Sequence, residues 1–306
     1  MSVIKANSIR ENAWLFLRKA IKELISHDDS NDEILHKDKA IMAISLIQMS
    51  FELSLVAYFV EVDGIRGIVQ GADSNLSDQE LLAKYENNEL LTKCFNSLKK
   101  IALERDLFFS DHDEYLIAIF QKIRNKVVHL NYEFNDGDLY DFKYDLIYFL
   151  IKVIIPTLCD EFFKPSEAIA INIDSQDFIK LIKFPPYAYE MHKVAKENSE
   201  YVYPCIHCGN DSLAVDFGNE YCYSCCQDLS HAGFIDCPYC KSKRSMVYDA
   251  LNISYQTDRT IKAQCLKCHE DELVYLCKAC ESEVALEANI GFGKCLPGFC
   301  ELGEYT

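Results

Sequence analysis

The chain has 306 residues, 49% of them hydrophobic, and carries a formal net charge of −17 from 31 basic and 48 acidic residues. This length predicts about two domains, and the apolar content is sufficient for a packed core, which excludes a disordered chain. The negative charge repels polyanions at long range and argues against a general nucleic-acid coat protein, so any contact with RNA has to be local.

The N-terminal stretch "MSVIKANSIRENAWLFLRKAIKELI" distributes its charges among apolar residues, which is not typical of a secretory signal peptide. The two most apolar stretches, residues 40–60 and 146–158, contain charged residues, and neither offers about 20 clean apolar residues for a membrane span. We therefore expect buried core helices in a cytoplasmic protein that does not contact a membrane.

Residues 1–190 predict a helical domain. Apolar residues from Asn12 to Ile25 recur close to every 3.6 positions, as on one face of a helix. Ser77 with Glu80 predicts a capping box that opens a long helix reaching Leu103, and the glycine-punctuated stretch 62–75 before it predicts a loop.

A further helix is predicted from Asp111 or Asp113 through His129, and another over residues 139–158. The run "AIAINI" (168–173) predicts a short strand, and residues 175–182 predict a helix. The stretch leading into the cysteines has no sustained period, which predicts a linker at 191–203. The expected fold class is mainly α: a helical-bundle domain at 1–190, followed by zinc ribbons built from β-hairpins at 204–306.

The cysteines of the last hundred residues fall mostly in C-x-x-C pairs, which in a reducing compartment indicate metal binding. Zinc prefers four thiolate or imidazole ligands, and two such turns meeting across a hairpin supply them. Taken in chain order, the twelve cysteines predict three sites: Cys205, Cys208, Cys222 and Cys225; Cys237, Cys240, Cys265 and Cys268; and Cys277, Cys280, Cys295 and Cys300.

A different pairing stays open, in which Cys265 and Cys268 join Cys277 and Cys280 and leave Cys237 and Cys240 to find the last two cysteines. Three neighbours of the pairs, His207, Cys226 and His269, could replace a ligand, although such neighbours are more often bystanders. All-thiolate sites leave no open position for water, so we expect two to three structural Zn²⁺ ions that supply folding energy to a segment poor in apolar residues.

A basic cluster, Lys241, Lys243 and Arg244, follows Cys240, with Lys262 and Lys267 as candidates across the same hairpin. It is either a small nucleic-acid patch or an ordinary solvated hairpin. The region 201–306 is acidic as a whole, with 15 acidic and 8 basic residues.

The run "RNKVVH" places Arg124 and His129 at the C-terminal end of a predicted helix. Positions five apart lie about 140° apart around a helix, so the two side chains converge only if the last turn loosens or if two copies of the helix meet across a two-fold axis. Cations at a helix C-terminus are also favoured by the macrodipole alone, which is the alternative explanation of this run.

This Arg-Asn-x-x-x-His run, together with the buried upstream helix that carries Glu52, resembles the HEPN superfamily over roughly residues 10–160. The resemblance implies a helical-bundle, homodimeric ribonuclease of a toxin or phage-defence system, with Arg124 and His129 as the catalytic pair and Asn125 beside them. A histidine can move the protons of RNA cleavage near neutral pH, and a guanidinium fits the charge on a pentavalent phosphorus. The expected products carry 2′,3′-cyclic phosphate and 5′-hydroxyl ends.

A second interpretation is a catalytically inactive HEPN-like protein that uses its zinc ribbons and acidic surface to bind a protein. The expected partners are therefore an RNA substrate, a second copy of the chain, and an antitoxin or activating protein.

Overall fold

The structure is a computed structural model and describes residues 2–26, 36–105, 110–129, 136–159, 164–216, 220–252, 260–277, 280 and 282–285. The chain divides into two compact units, Met1–Glu190 and Met191–Thr306. The first unit is helical, and the second contains two small antiparallel sheets. The expectation of a mainly helical chain that ends in small β-hairpins is thus confirmed.

Two long helices, α1 (Ser2–Ile25) and α2 (Lys37–Asp63), pack along each other and form the centre of the first unit. Helices α3 (Asp78–Glu86), α4 (Phe95–Glu104) and α5 (Asp111–His129) follow in the chain. Helix α5 packs on α2, and Phe149, from later in the chain, bridges them: its ring makes edge-to-face contacts with Phe51 of α2 and Phe120 of α5, at centroid distances of 5.2 and 4.8 Å. These rings are fully buried and anchor α5 against α2.

Helix α2 is long and apolar enough to cross a membrane by length and composition. Of its most apolar window, 56% is buried inside the fold. Ile44, Ile47 and Phe51 on this helix are almost completely buried, as a core helix requires.

The predicted long helix from Ser77 to Leu103 is wrong, because it is broken into α3 and α4. The capping box is confirmed: Ser77 Oγ accepts from the Glu80 amide, and the Glu80 carboxylate accepts from the Ser77 amide at 2.8 Å. Helix α3 ends at Glu86, and Asn88 has a left-handed φ of 57°, which does not continue a helix.

The predicted loop at 62–75 contains two 3₁₀ turns, Ile65–Ile68 and Gly71–Asn75. Cys94 is exposed at the N-cap of α4.

Asp73 holds this connecting region together from a buried position. Its carboxylate accepts from Lys84 Nζ at 2.6 Å and from the Leu91 amide at 2.9 Å, and the lysine lowers the pKa of the carboxyl group. The pair therefore stabilises the fold at neutral pH, and this contribution is lost as the pH falls below about 4. We expect Asp73→Asn to lower the melting temperature measured by circular dichroism. Asp78→Asn, which removes an exposed ion pair with Arg66, is the matched control; equal effects of the two changes would contradict this role.

Five further α-helices follow in the described residues. Helix α6 (Asp136–Phe149) continues through a π-helical turn, Leu150–Ile154, into α7 (Ile155–Leu158). The turn precedes Pro156, which has no amide hydrogen to donate. They are followed by α8 (Pro165–Asn172), α9 (Ser175–Ile182) and α10 (Pro185–Asn198).

Two expectations for this part of the chain differ from the structure. The run "AIAINI" is not a strand: most of it lies in α8, where Pro165 occupies the first turn, a position that favours helix. A short apolar run does not by its period distinguish a strand from a buried helix. The stretch 191–203 is not irregular, because it contains the second half of α10 and most of the first strand.

The second unit has a three-stranded sheet of β1 (Val202–Pro204), β2 (Asp211–Ala214) and β3 (Tyr221–Cys222) in that order. The five-stranded sheet contains β4 (Ala232–Ile235), β5 (Met246–Asp249), β6 (Ile261–Cys265), β7 (Asp271–Leu276) and β8 (Glu283–Ala285), also in chain order. All pairings are antiparallel, with Leu213 opposite Cys222 and Met246 opposite Cys265. The cysteine pairs lie in or beside the turns that connect these strands.

The two sheets share one hydrophobic cluster. Leu213 and Val215 of the first sheet region pack in it with Phe234 of β4 and with Leu266, which lies between Cys265 and Cys268. The two cysteine-rich modules are therefore fused through their apolar side chains and are not independent of one another.

Candidate functional site

The structure brings the cysteines of the first four C-x-x-C pairs of the second unit together as two groups of four. The sulfur atoms of Cys205, Cys208, Cys222 and Cys225 lie within 4.8 Å of one another, and so do those of Cys237, Cys240, Cys265 and Cys268. Each group combines two C-x-x-C turns, one before and one after a hairpin, which meet at the open end of that hairpin. Both groups could hold a metal ion, and the grouping of these eight cysteines is the one predicted for the first two sites.

The sulfur spacing fits tetrahedral zinc. Four sulfurs at about 2.3 Å from a central ion lie about 3.8 Å apart along the edges of the tetrahedron. In the first group, Cys205 and Cys225 are 3.8 Å apart, and Cys208 and Cys222 are 3.7 Å apart. In the second group, the corresponding Cys237–Cys268 and Cys240–Cys265 distances are both 3.7 Å.

The alternative pairing of Cys265 and Cys268 with the pair at Cys277 is wrong. The antiparallel register of β5 and β6 places Cys265 opposite Met246, beside the turn that contains Cys240. Long-range strand pairing decides which cysteine pairs meet, and spacing along the chain does not contain that information.

Each of these four C-x-x-C turns has the same backbone geometry. The amide of the first cysteine donates to a carbonyl five residues later, as from Cys205 to Asn210 at 2.9 Å and from Cys237 to Ser242 at 3.0 Å. The residue after the second cysteine has a positive φ in every case: Gly209, Cys226, Lys241 and His269, at 79°, 62°, 60° and 63°. Cys226 and His269 therefore have a conformational role in closing their turns, and neither belongs to the four-sulfur groups.

His269 offers a test of this role. Its φ of 63° costs about 1–2 kcal/mol for a residue with a Cβ, whereas glycine adopts this conformation without strain. We expect His269→Gly to stabilise the second unit by about 0.5–1 kcal/mol relative to His269→Ala, measured by denaturation of the zinc-loaded protein. Both variants should keep the full zinc content, and loss of an ion from either one would identify His269 as a ligand.

In each group of four, the surroundings lower the pKa of two thiols and raise the pKa of the other two, and the thiolate is the form that binds zinc. Hydrogen bonds from Cys205, Cys208 and Cys225 lower the pKa of Cys222. In the second group, the hydroxyl of Ser242 lowers the pKa of Cys240 to about 6. Each group therefore contains at least one thiol whose pKa lies below its usual range.

The third predicted site is described only in part. Cys277 is buried, and its amide donates to the Ser282 carbonyl at 2.8 Å, the same five-residue bond that the other four turns make. Cys277 thus makes the backbone hydrogen bond that the first cysteine of each of the other four turns makes. Cys295 and Cys300, its predicted partners, lie outside the described residues.

The basic cluster of the second unit is largely neutralised by its own neighbours. Lys243 pairs with Asp236 at 2.5 Å, and Arg244 pairs with the buried Glu220 at 3.0 Å. Lys241 Nζ donates to the carbonyl of Pro238. On the opposite strand, Lys262 pairs with Asp271 at 2.7 Å. Such pairing weakens the attraction that these cations would exert on a phosphate backbone.

In the first unit, Arg124 is held by two partners. Its Nη2 donates to Glu52 Oε1 of α2 at 3.3 Å, and its Nη1 donates to Asn125 Oδ1 at 3.0 Å. The side chain is 30% exposed. A guanidinium has five N–H donors, and the remaining three have no acceptor among the described residues.

His129 is the last residue of α5, and its side chain lies outside the described ones. The helix is regular through this residue, which does not fit the expectation of a loosened last turn. Helical geometry then places positions 124 and 129 about 140° apart around the axis. Within one chain, α5 does not bring the two predicted catalytic residues to the same face.

Gln48 is a member of the Arg124 network that sequence reasoning missed. It is fully buried, and its amide nitrogen donates to Glu52 Oε1 at 3.3 Å. The i, i+4 spacing of Gln48 and Glu52 in an otherwise apolar helix was the available signal.

Comparisons of the chain with models of protein families, with curated proteins and with solved structures give no match.

Proposed function

We propose that the helical unit is a metal-independent endoribonuclease of the HEPN type. The observation that carries this proposal is Arg124: a partly exposed guanidinium, fixed by Glu52 and Asn125, at the end of a helix where the sequence places a histidine five residues later. If the helix macrodipole alone explained an arginine at this position, hydrogen bonds to Glu52 and Asn125 would not be required. A fixed arginine with unused donors is suited to stabilising charge on a phosphate.

In the proposed reaction, the ribose 2′-hydroxyl attacks the adjacent phosphorus, and the bond to the 5′-oxygen of the next nucleotide breaks. His129 transfers a proton in this step, and Arg124 stabilises the extra negative charge on the phosphoryl oxygens. The bond from Arg124 to Asn125 supports a positioning role for the amide. The products are a 2′,3′-cyclic phosphate and a 5′-hydroxyl.

The active form in this proposal is a homodimer. Because α5 separates positions 124 and 129 around its axis, a second copy of the helix is needed to bring one chain's arginine to the other chain's histidine. Lys122 and Lys126, doubled across the two-fold axis, would add local positive charge to a chain that is acidic overall.

The zinc ions in this proposal are structural. Each complete four-thiolate group has no open position at which a metal could activate water. We further propose a third ion on Cys277 and Cys280, completed by Cys295 and Cys300, because the Cys277 amide makes the same five-residue hydrogen bond as the first cysteine of the other four turns.

The number of ions tests this third site. Elemental analysis of the purified protein should give three zinc ions per chain, and Cys295→Ser should give two. Cys226→Ser is the matched control, since it changes a cysteine outside the four-sulfur groups and should leave three. Two ions in the unaltered chain would contradict the third site.

The setting follows from the resemblance to HEPN proteins alone. We propose a cytoplasmic toxin or phage-defence ribonuclease that is controlled by an antitoxin or an activating protein. Overexpression should then arrest growth, and Arg124→Ala or His129→Ala should remove the toxicity while the protein still folds and dimerises. Toxicity that survives both changes would contradict catalysis by this pair.

A second candidate function is a catalytically inactive protein-binding module. The pairing of Lys243, Arg244 and Lys262 with acidic side chains favours it, because the second unit then has little to offer to RNA. The same unit has a groove of about 500 Å³ with Ile206, 52% exposed, at its edge. If the protein is not toxic, this groove is the first surface to test for a protein partner.

A further inference from the structure

A cavity of about 350 Å³ opens in the helical unit beside the network that holds Arg124. Its wall contains Glu52 of α2, which also forms the ion pair with Arg124, as well as Leu53 and the aromatic side chains of Phe16 and Phe95. Thr92 and Lys93, which precede α4, complete the polar part of the wall. The volume is at the low end of the range for small-molecule sites, about 300–1,000 Å³, and suits a single base better than an oligonucleotide.

The polar groups of the cavity are fixed in place and retain hydrogen-bonding capacity. Both hydrogen bonds that Glu52 accepts go to Oε1, and its Oε2 accepts none from the described residues. Lys93 Nζ donates to the Gly67 carbonyl at 2.7 Å, which uses one of its three donors. The backbone of this wall is anchored by the bond from the Lys93 amide to the Ile68 carbonyl, also 2.7 Å.

We propose that this cavity binds a guanine base of the RNA, next to the phosphate that Arg124 contacts. Guanine has two adjacent donors, N1–H and the N2 amino group, which can both donate to Glu52 Oε2 because a carboxylate oxygen has two lone pairs, and its O6 can accept from Lys93. Adenine, cytosine and uracil each offer a single donor position on the same edge. Unstacked bases in single-stranded RNA are commonly bound between aromatic side chains, a role that Phe16 and Phe95 can fill.

This inference rests on the proposed function, because it assigns a base preference to the same ribonuclease site. Glu52 then has two roles: it positions Arg124 through Oε1 and recognises the base through Oε2. Recognition of a guanine beside the scissile phosphate would make cleavage depend on the base at one position.

Calorimetric titration of the full-length, zinc-loaded chain with guanosine 3′-monophosphate tests the cavity directly. We expect this nucleotide to bind at least about tenfold more tightly than the adenosine, cytidine and uridine 3′-monophosphates, as one added charge-assisted hydrogen bond would give. Glu52→Gln and Lys93→Met should each reduce the preference to within about threefold. Glu89→Gln, a change of an exposed glutamate elsewhere on the same unit, should leave the preference intact.

Cleavage of single-stranded RNA that contains every dinucleotide separates this inference from the proposed function. Selective binding of guanosine 3′-monophosphate without any cleavage would support the cavity and contradict the ribonuclease. Cleavage without base preference, together with equal binding of all four nucleotides, would overturn the cavity and leave the ribonuclease standing. Absence of nucleotide binding in a folded dimer would also overturn it, and would indicate that the second chain covers this face.

Discussion

Replacing Cys222 by serine should remove zinc from the first four-thiolate group and unfold much of the second unit. A structural zinc site contributes apparent binding free energies of about 10–16 kcal/mol to folding, and a module with few apolar residues has little else to replace it. The sulfur of Cys222 is buried and hydrogen-bonded with its three partners. A hydroxyl is a poor substitute, because it does not provide a thiolate ligand at neutral pH.

The loss should extend beyond one ion. Phe234 and Leu266 of the second sheet region pack in the same cluster as Leu213 and Val215 of the first, so loosening of the first site exposes part of the second. We expect Cys222→Ser to lose at least one zinc per chain and to become sensitive to limited proteolysis after residue 200, while the helical circular dichroism signal remains. Cys226→Ser should behave like the unaltered protein. A Cys222→Ser chain that keeps all its zinc would contradict the assigned ligand set.

Arg124→Ala should reduce the rate of RNA cleavage by about 10²–10³-fold, the usual effect of removing one preorganised donor from a site that stabilises an oxyanion. His129→Ala should reduce it by about 10²–10⁴-fold, because the proton transfer loses its catalyst. Arg124→Lys should also be strongly impaired, since an ammonium group does not reproduce the two bonds to Glu52 and Asn125 while binding phosphate.

Lys122→Ala is the matched control for these changes. Lys122 is an exposed cation on the same helix, two residues before Arg124, and its loss should reduce the rate only modestly. Circular dichroism and size-exclusion chromatography must give the same fold and dimer for all variants. Equal activity of Lys122→Ala and Arg124→Ala would mean that α5 contributes only general positive charge.

The parts of the fold that local chemistry determines could be predicted from the sequence. The capping box at Ser77, the helix from Asp111 to His129 and the helix over 175–182 are all found, because caps and apolar periodicity act within a few residues. The first two cysteine groups were also predicted in chain order. Their geometry needs only short hairpins between ligand pairs.

The parts that depend on the rest of the molecule could not be predicted. The break between α3 and α4 depends on a left-handed Asn88 and on backbone bonds such as that from Gln70 to Leu91, which an apolar period does not reveal. The run at 168–173 is short and apolar, and it becomes helical in the context set by Pro165. Arg124 was identified by its motif, but its two partners come from another helix and from a neighbouring amide. The distances from Arg124 to these two partners depend on the tertiary packing of the helices, which the sequence pattern does not show.

The measurement that tests the central claim most directly is cleavage of total cellular RNA and transfer RNA by the purified protein in excess EDTA, beside the His129→Ala variant. Zinc content and fold are checked in the same tubes, because a chelator could strip the thiolate sites. The proposed mechanism predicts cleavage without added metal, with 2′,3′-cyclic phosphate and 5′-hydroxyl ends that require His129. Folded, zinc-loaded protein that cuts no RNA, or cuts it equally well without His129, would contradict the proposed mechanism.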